Sequence, residues 1–292
     1  MFKQYCQERC KVINQQLANF VPDKNVYPLI IFEAMQYSLF AGGKRLRPIL
    51  LMAAADAVGG NGLRYLSLAC GIEMIHTYSL IHDDLPAMDN DDYRRGKLTN
   101  HKIYGEGMAI LAGDGLLTAA FDAMLSQADV EPNHLLKVVR EVSTAAGPYG
   151  MVGGQAVDLE SEGKVLDHET IQFMHQAKTG ALFKAAIRAG AILAGADDTK
   201  VDALTKYADC FGLAFQVTDD ILDVIGSQDK IGKPVGSDIR NQKATYVTLY
   251  SLEEAQKMAK QVVNEALDSI KDFGPEANIL RNFVTYLLTR EK

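Results

Sequence analysis

The chain has 292 residues, of which 48% are hydrophobic and 23% charged, and its formal net charge is −7. This balance is typical of a globular protein with a sizeable core and excludes extended disorder, while the acidic charge argues against a large nucleic-acid-binding surface. The N-terminal residues contain no apolar signal segment, and the apolar stretches are short or rich in Ala and Gly, so we expect a cytoplasmic protein without stable membrane insertion.

Apolar residues recur at three- and four-residue spacing along almost the whole chain, with little alternation of period two. Glycine and proline interrupt this pattern at intervals. We therefore predict an all-α fold of roughly ten or more helices joined by short loops. Because no Ser/Gly/Pro-rich linker divides the chain, residues 1–292 are predicted to form a single domain.

The first basic motif, FAGGKRLRP, precedes a helix predicted to begin around Pro48. Its glycines free the backbone to approach a ligand, and its cations lie beside helix N-terminal amides, which favours a diphosphate site. The motif lacks the P-loop spacing and also suits an ordinary loop. The residues concerned are Gly42, Gly43, Lys44, Arg45 and Arg47.

The first acidic segment reads IHDDLPAMDNDDYRRGK and changes from acidic to basic. On an unbroken helix Asp83 and Asp89 would point about 120° apart. Pro86 disturbs the helical hydrogen bonds between them, so the chain can bring Asp89 back beside Asp83. A helix C-terminus followed by a solvated loop is the alternative interpretation.

The second acidic segment, AFQVTDDILDVIG, has Asp219, Asp220, Asp223 and Gln216 at spacings that form one polar stripe on a helix. Its flanks are strongly apolar, so we predict a buried helix on which the three carboxylates would repel one another. Oxygen ligands without His or Cys indicate Mg²⁺ rather than Zn²⁺. A solvated acidic helix face is the alternative.

Further polar candidates are His76, Lys178 with Thr179, and Lys233. His76 shares a predicted helix with the first acidic segment, and Gly180 after Thr179 can open the backbone of its helix. Taken singly, each also fits a hydrogen-bonded core histidine or a solvated lysine.

Taken in order, GGKRLRP, DDxxxxD followed by RRGK, KTG, and FQxxDDxxD followed by GKPxGSD resemble the trans (all-E) polyprenyl diphosphate synthases, and among them the bacterial farnesyl diphosphate synthases. The resemblance runs essentially end to end. It implies the isoprenoid synthase type I fold, a single large helical bundle around a central cavity with the acidic segments as two of its walls. It also implies a homodimer that joins isopentenyl diphosphate to an allylic diphosphate with three Mg²⁺ ions.

The resemblance also implies a role for each matching residue. Two of the magnesium ions are expected on Asp83 and Asp89, supported by Asp84. The third is expected on Asp219, with Asp220 and Asp223 nearby. The allylic diphosphate is expected to be held by Arg94, Lys178 and Lys233. Isopentenyl diphosphate is expected to be held by Lys44, Arg47, His76 and Arg95. Oxygens facing the carbocation are expected from Thr179 and Gln216.

Product length in this family depends on the side chains below the first acidic segment, which here are Tyr78 and Ser79. The bulky Tyr78 and the two-residue insertion in the aspartate motif resemble farnesyl enzymes. A geranylgeranyl diphosphate synthase is the alternative, followed by a class I terpene cyclase and a non-catalytic subunit of a heteromeric synthase. Departures from the family pattern are Tyr93, Leu98, Gly115 and Thr218, of which Tyr93 and Thr218 are expected near the site and bear on rate and product length.

Overall fold

Helices make up almost all regular structure in the computed structural model, which describes residues 2–21, 26–164, 166–225 and 245–290. The all-α prediction is confirmed. The chain groups into two compact units, one of residues 1–52 and 63–139 and the other of residues 53–62 and 140–292. The single-domain interpretation stays a prediction.

The first unit contains the N-terminal helices and the first acidic segment. Its elements are α1 (Phe2–Phe20), α2 (Leu29–Leu39), the first part of α3 (Leu46–Ala57), α4 (Leu66–Asp83), β1 (Tyr93–Arg94), β2 (Lys97–Leu98), α5 (Asn100–Tyr104), α6 (Glu106–Leu125) and the start of α7 (Pro132–Ala146). Helix α4 is buried along most of its length and packs most extensively on α6. Helix α3 begins two residues earlier than predicted, at Leu46 instead of Pro48.

The second unit contains the second acidic segment. After the rest of α7 come α8 (Met151–Glu160), α9 (His168–His175), a π-helical turn (Gln176–Gly180), α10 (Ala181–Leu193), α11 (Asp198–Ile225), α12 (Tyr246–Leu249), α13 (Leu252–Ser269) and α14 (Asn278–Leu287). A short 3₁₀ turn covers Pro275–Ala277 before α14, and another, Gly62–Tyr65, precedes α4 at the boundary in sequence between the two units. The long helix α11 packs on α10 and α13, because its apolar residues line the sides of the helix that face them.

A two-stranded antiparallel hairpin, which periodicity did not predict, is formed by β1 and β2 directly after the first acidic segment. Its two turn residues, Arg95 and Gly96, have φ angles of 55° and 76°. Positive φ at both central residues is the conformation of the type I′ turns that match the twist of paired strands. The turn therefore fixes the directions in which the side chains of Arg94 and Arg95 extend from the hairpin.

Helix α6 is the one helix among the described residues that is long and apolar enough to cross a membrane by length and composition alone. Its sequence, EGMAILAGDGLLTAAFDAML, is rich in Ala and Gly, as expected of the apolar stretches of this chain. A core helix of a soluble protein passes the same test. In the first unit α6 packs on both α4 and α2, which accounts for its buried apolar side.

Candidate active site

The loop after α4 turns back on itself, as the position of Pro86 suggested. Helix α4 ends at Asp83, and the Asp89 backbone N–H donates to the Asp83 carbonyl oxygen over 2.9 Å. A second hydrogen bond of 3.1 Å joins the Asn90 N–H to the Leu85 carbonyl oxygen. The backbones of Asp83 and Asp89 are therefore neighbours despite the six-residue step between them.

Asp84 has a different environment from the other two aspartates of this segment. Its side chain is only 5% exposed and forms an ion pair of 2.6 Å between its Oδ1 and the Arg94 guanidinium. Burial raises the pKa of Asp84 to about 7, and the Arg94 charge and hydrogen bond act in the opposite direction. Asp84 therefore fastens the hairpin to the end of α4.

His76 lies among several guanidinium groups in the first unit. Burial lowers the pKa of His76 well below its usual value, and the positive charges of Arg47, Arg95, Arg94 and Arg45 lower it further. The imidazole is therefore neutral at physiological pH. A concentration of guanidinium charge around a neutral hydrogen-bonding ring is suited to binding an anion.

The GGKRLRP loop contributes to this basic region in two ways. The Arg95 guanidinium donates to the Gly42 carbonyl oxygen and lies so close to Gly43 that a Cβ atom there would come within 2.7 Å of Arg95 Nη1. Gly43 also has a φ angle of 126°, which disfavours any other residue. The loop therefore needs glycine at this position in order to hold Arg95. Lys44 is exposed and Arg47 is half-buried.

Arg45, which the sequence grouped with the diphosphate-binding cations, has a structural position. It is buried and donates to Glu73 Oε1 over 2.7 Å, to Asn14 Oδ1 over 2.9 Å and to the Leu39 carbonyl oxygen over 2.6 Å. These contacts join α1, α2 and α4 around one side chain. Arg45 affects the site through its charge on His76.

The second acidic segment lies in the last two turns of α11, and its aspartates differ in exposure. Asp220 is 3% exposed; its Oδ1 accepts from Gln216 Nε2 over 2.9 Å and its Oδ2 from the Tyr246 backbone N–H over 2.8 Å. The Asp219 side chain is 43% exposed, and Asp223 is half-buried. The expectation of a wholly buried stripe is therefore wrong, because the helix buries only the face that carries Asp220.

An arginine that the sequence did not single out contacts the second acidic segment. The Arg290 Nη2 atom donates to Asp219 Oδ1, to Thr218 Oγ1 over 2.8 Å and to the Phe215 carbonyl oxygen over 2.9 Å. The guanidinium carbon lies 4.4 Å from the centre of the Phe215 ring. Since 71 residues separate Arg290 from Asp219, no local pattern could have indicated the contact.

Lys178 and Thr179 lie in the π-helical turn between α9 and α10, where the backbone is widened, as Gly180 suggested. Such turns recur at functional sites. Lys178 Nζ pairs with Asp158 Oδ2 over 2.7 Å, and Thr179 Oγ1 lies 3.4 Å from Gln216 Oε1.

Asp158, in the segment GGQAVD of α8, is a second residue of this region that the sequence did not single out. Asp158 lies four residues after Gly154, which packs against the Lys178 backbone, and no local pattern in the sequence indicates either contact.

Magnesium fits the chemistry of these two segments. Within the described ranges no group of three or more His, Cys, Asp and Glu side chains surrounds one point. Mg²⁺ does not need such a cage, because it takes one or two carboxylates and completes its shell with water and substrate phosphate oxygens. The candidate ligands remain the six aspartates singled out from the sequence, which are Asp83, Asp84, Asp89, Asp219, Asp220 and Asp223. A metal ion would compete there with the contacts of Asp84 to Arg94, of Asp219 to Arg290 and of Asp220 to Gln216 and Tyr246.

The candidate chain-length residues lie on α4, one turn before its end. Tyr78 is buried, and its ring meets the His82 ring edge-on at a centroid distance of 5.5 Å. Burial raises the pKa of Tyr78, and the Asp114 charge raises it further. Ser79 donates its hydroxyl to the His76 carbonyl oxygen over 2.8 Å. Lys233 lies outside the described residues.

Comparison with known proteins agrees with the motifs. Residues 28–284 match the polyprenyl synthetase family model. The chain is 46% identical over 288 residues to the geranylgeranyl diphosphate synthase of Cyanophora paradoxa, an alignment covering 98% of this chain and 95% of that protein. It is 49% identical over 257 residues to the farnesyl diphosphate synthase of Geobacillus stearothermophilus, covering 87% and 86% of the two chains.

A solved structure agrees in fold over the whole chain. The geranylgeranyl pyrophosphate synthetase of Pyrococcus horikoshii superposes with a TM-score of 0.91 at 33% identity, covering 99% of this chain and 98% of that one. Both acidic segments and the basic motifs of the described residues fall within the matched range of the family model. The chain belongs to the polyprenyl synthetase family, whose members are prenyl chain-elongating transferases.

Proposed function

We propose that this protein condenses dimethylallyl or geranyl diphosphate with isopentenyl diphosphate, head to tail, and releases farnesyl diphosphate. The observation that carries the reaction class is the fold-back of the first acidic loop, because the 2.9 Å hydrogen bond between the backbones of Asp89 and Asp83 makes neighbours of two candidate Mg²⁺ ligands. The farnesyl product is supported by the buried Tyr78, five residues before Asp83 and thus about 7.5 Å along the helix.

The reaction breaks the carbon–oxygen bond to the allylic diphosphate, and the double bond of isopentenyl diphosphate attacks the resulting carbocation before a proton is lost. Mg²⁺, when bound by Asp83, Asp89 and Asp219, supplies positive charge to the departing diphosphate. Cations fixed before the reaction stabilise this developing charge more than they stabilise the ground state.

The basic residues are proposed to divide between the two diphosphates. Arg94, Lys178 and Lys233 hold the allylic diphosphate, and the isopentenyl diphosphate is held by Lys44, Arg47, His76 and Arg95. This assignment is supported by the guanidinium groups around the neutral His76 and by the Asp158 contact that holds Lys178 in place. A ligand phosphate would replace Asp158 as the partner of the lysine ammonium.

Thr179 and Gln216 are proposed to face the carbocation. Their side chains lie 3.4 Å apart at the π-helical turn, and Gln216 is oriented by its hydrogen bond to Asp220. Oxygen dipoles stabilise a carbocation without reacting with it, provided that water is excluded.

A homodimer in the cytoplasm is also proposed. Its support is the set of large apolar side chains that α6 exposes, among them Ile110, Leu111 and Leu125, because a single chain leaves them in water. Light scattering on the purified protein distinguishes a dimer from a monomer.

Radiolabelled isopentenyl diphosphate, offered with dimethylallyl, geranyl or farnesyl diphosphate in separate reactions, tests the function. We expect a fifteen-carbon product from the first two and little elongation of the third. A twenty-carbon end product would identify a geranylgeranyl synthase instead. Turnover of an allylic diphosphate without isopentenyl diphosphate would indicate a cyclase, and no elongation by the purified protein would indicate a non-catalytic subunit.

The metal assignment has its own test. Asp83→Ala and Asp219→Ala are each expected to abolish nearly all turnover, since each removes a candidate Mg²⁺ ligand. The assignment is wrong if either variant keeps wild-type kcat at saturating Mg²⁺.

A further inference from the structure

Arg290 lies beside Asp219, although the two residues are far apart in the sequence. It is 8% exposed, although arginine is among the residues most rarely buried without a partner. Its Nη2 atom has three oxygen acceptors, and one of them belongs to the carboxylate of Asp219. The guanidinium group is therefore held by the protein and also binds a candidate metal ligand.

The other contacts of Arg290 show why the side chain remains in this place. Thr218 Oγ1 accepts from it over 2.8 Å and the Phe215 carbonyl oxygen over 2.9 Å, while the guanidinium carbon lies 4.4 Å from the centre of the Phe215 ring. Hydroxyl, carbonyl and aromatic partners remain in place whatever the charge on Asp219. The positive charge is thus fixed beside the carboxylate.

We propose that Arg290 is a fixed positive charge that acts on the second acidic segment in two ways. It holds the Asp219 carboxylate in place while no metal is bound, and it weakens metal binding until a diphosphate is present. The inference rests on the proposed function, because it takes Asp219 to be a magnesium ligand. Arg290 acts through Asp219 and is a positioning residue.

Electrostatic repulsion predicts that Arg290 weakens the binding of a metal ion to Asp219. A divalent cation bound to Asp219 would share that carboxylate with the guanidinium group, in a region where charges are only partly screened, so the two cations would repel each other. A diphosphate brings negative charge that offsets this repulsion. The metal-free segment, by contrast, benefits from Arg290, because the carboxylates Asp219, Asp220 and Asp223 share one stretch of α11.

The test is a titration of the metal-free protein with Mn²⁺, followed by electron paramagnetic resonance of the unbound ion. Arg290→Met keeps much of the packing on Phe215 and removes the charge; we expect it to bind Mn²⁺ about tenfold more tightly than the wild type, the scale of one lost ion-pair repulsion. Arg290→Lys keeps the charge and should bind close to wild type. Combining Arg290→Met with Asp219→Asn should remove the gain.

Inorganic diphosphate and a matched arginine provide the controls. With saturating inorganic diphosphate, the affinities of the wild type and Arg290→Met for Mn²⁺ should converge. Arg281 lies in α14, the helix that precedes Arg290, and donates to the carbonyl oxygens of Ile270, Phe273 and Gly274. Arg281→Gln should therefore lower the thermal stability and leave the Mn²⁺ affinity unchanged.

The proposal is overturned if Arg290→Met binds Mn²⁺ no more tightly than the wild type, or if the gain persists in the combination with Asp219→Asn. A loss of thermal stability in Arg290→Met without a change in Mn²⁺ affinity would reduce Arg290 to a structural role and also overturn it. These failures differ from a failure of the proposed function, which would appear as absence of prenyl product from the wild-type protein.

Discussion

Arg94 donates its Nε–H to Asp84 Oδ1 over 2.6 Å, and this ion pair joins the β1–β2 hairpin to the C-terminal end of α4. Arg94 also reaches Asp91 Oδ2 over 3.4 Å. The same side chain is proposed to hold the allylic diphosphate, so its position is set before a ligand arrives. Under that proposal, the pair links the stability of the acidic loop to the binding of substrate.

A double-mutant cycle on this pair should show strong coupling. Arg94→Met leaves the Asp84 carboxylate buried without its partner, and we expect a loss of about 3 kcal/mol in the free energy of unfolding at pH 8. Adding Asp84→Asn should restore part of that loss, because the buried charge is removed as well. Chemical denaturation of the wild type and three variants measures the coupling. Additive effects would show that the ion pair does not hold the hairpin.

Replacing Gly154 by alanine should disturb the π-helical turn. A Cβ atom there would lie 2.3 Å from the Lys178 backbone nitrogen, which cannot move aside as a side-chain tip can. We expect a loss of about 2 kcal/mol in stability and a raised KM for the allylic substrate. Thermal unfolding and steady-state kinetics measure the two effects.

The matched control is Gly107→Ala in α6, where a Cβ atom meets nothing within 4 Å. Alanine favours a helix over glycine, so this variant should gain up to about 1 kcal/mol. Equal behaviour of the two variants would contradict a special role for the contact between α8 and the turn.

His175 should make the stability depend on pH below neutrality. Burial lowers the pKa of His175 from 6.5 to about 4, with Lys178 lowering it and Asp158 raising it. Between these two values the unfolded chain binds a proton that the folded protein does not, so stability is fully present above pH 6.5 and is lost as pH falls towards 4. The loss at pH 5 is about 2 kcal/mol.

His175→Phe keeps a ring against Tyr246, whose centroid lies 5.4 Å from that of His175, and removes the titration. Chemical denaturation at pH 7.5 and pH 5 should therefore show a smaller decline for the variant than for the wild type. Parallel declines would exclude His175 as the source.

Removing the ring of Tyr78 should lengthen the product. Tyr78→Ala opens space on α4 before Asp83, and we expect products beyond fifteen carbons from geranyl and isopentenyl diphosphates. Tyr78→Phe keeps the ring and its edge contact with His82, and should retain the wild-type product. Chromatography of the dephosphorylated products measures the length. An unchanged product from Tyr78→Ala would refute the chain-length assignment.

Local spacing was sufficient to predict the features that depend on neighbouring residues. The fold-back after Pro86 and the common helix of Asp219, Asp220 and Asp223 follow from proline geometry and helical period. The β1–β2 hairpin was missed because its strands are two residues long and its turn is Arg-Gly instead of the usual Asn-Gly.

Residues defined by long-range contacts could not be predicted in this way. Arg45 looked like its basic neighbours, and only the contact with Glu73, 28 residues away, shows its structural position. Asp158 and Arg290 are separated by 20 and 71 residues from the side chains that they bind. Their contacts arise from tertiary packing, for which a single sequence carries no local signal.

The π-helical turn at Gln176–Gly180 also bears on how this chain tolerates changes in length. A π turn is equivalent to an α-helix with one extra residue, so deleting Gly180 would let α9 and α10 run on as one regular helix. Such a helix would rotate Lys178 and Thr179 by about 100° relative to α10. Deleting Gly180 would therefore preserve the helix and still move the Lys178 and Thr179 side chains away from their partners. The length of this turn is for that reason as important to the site as the identity of its residues.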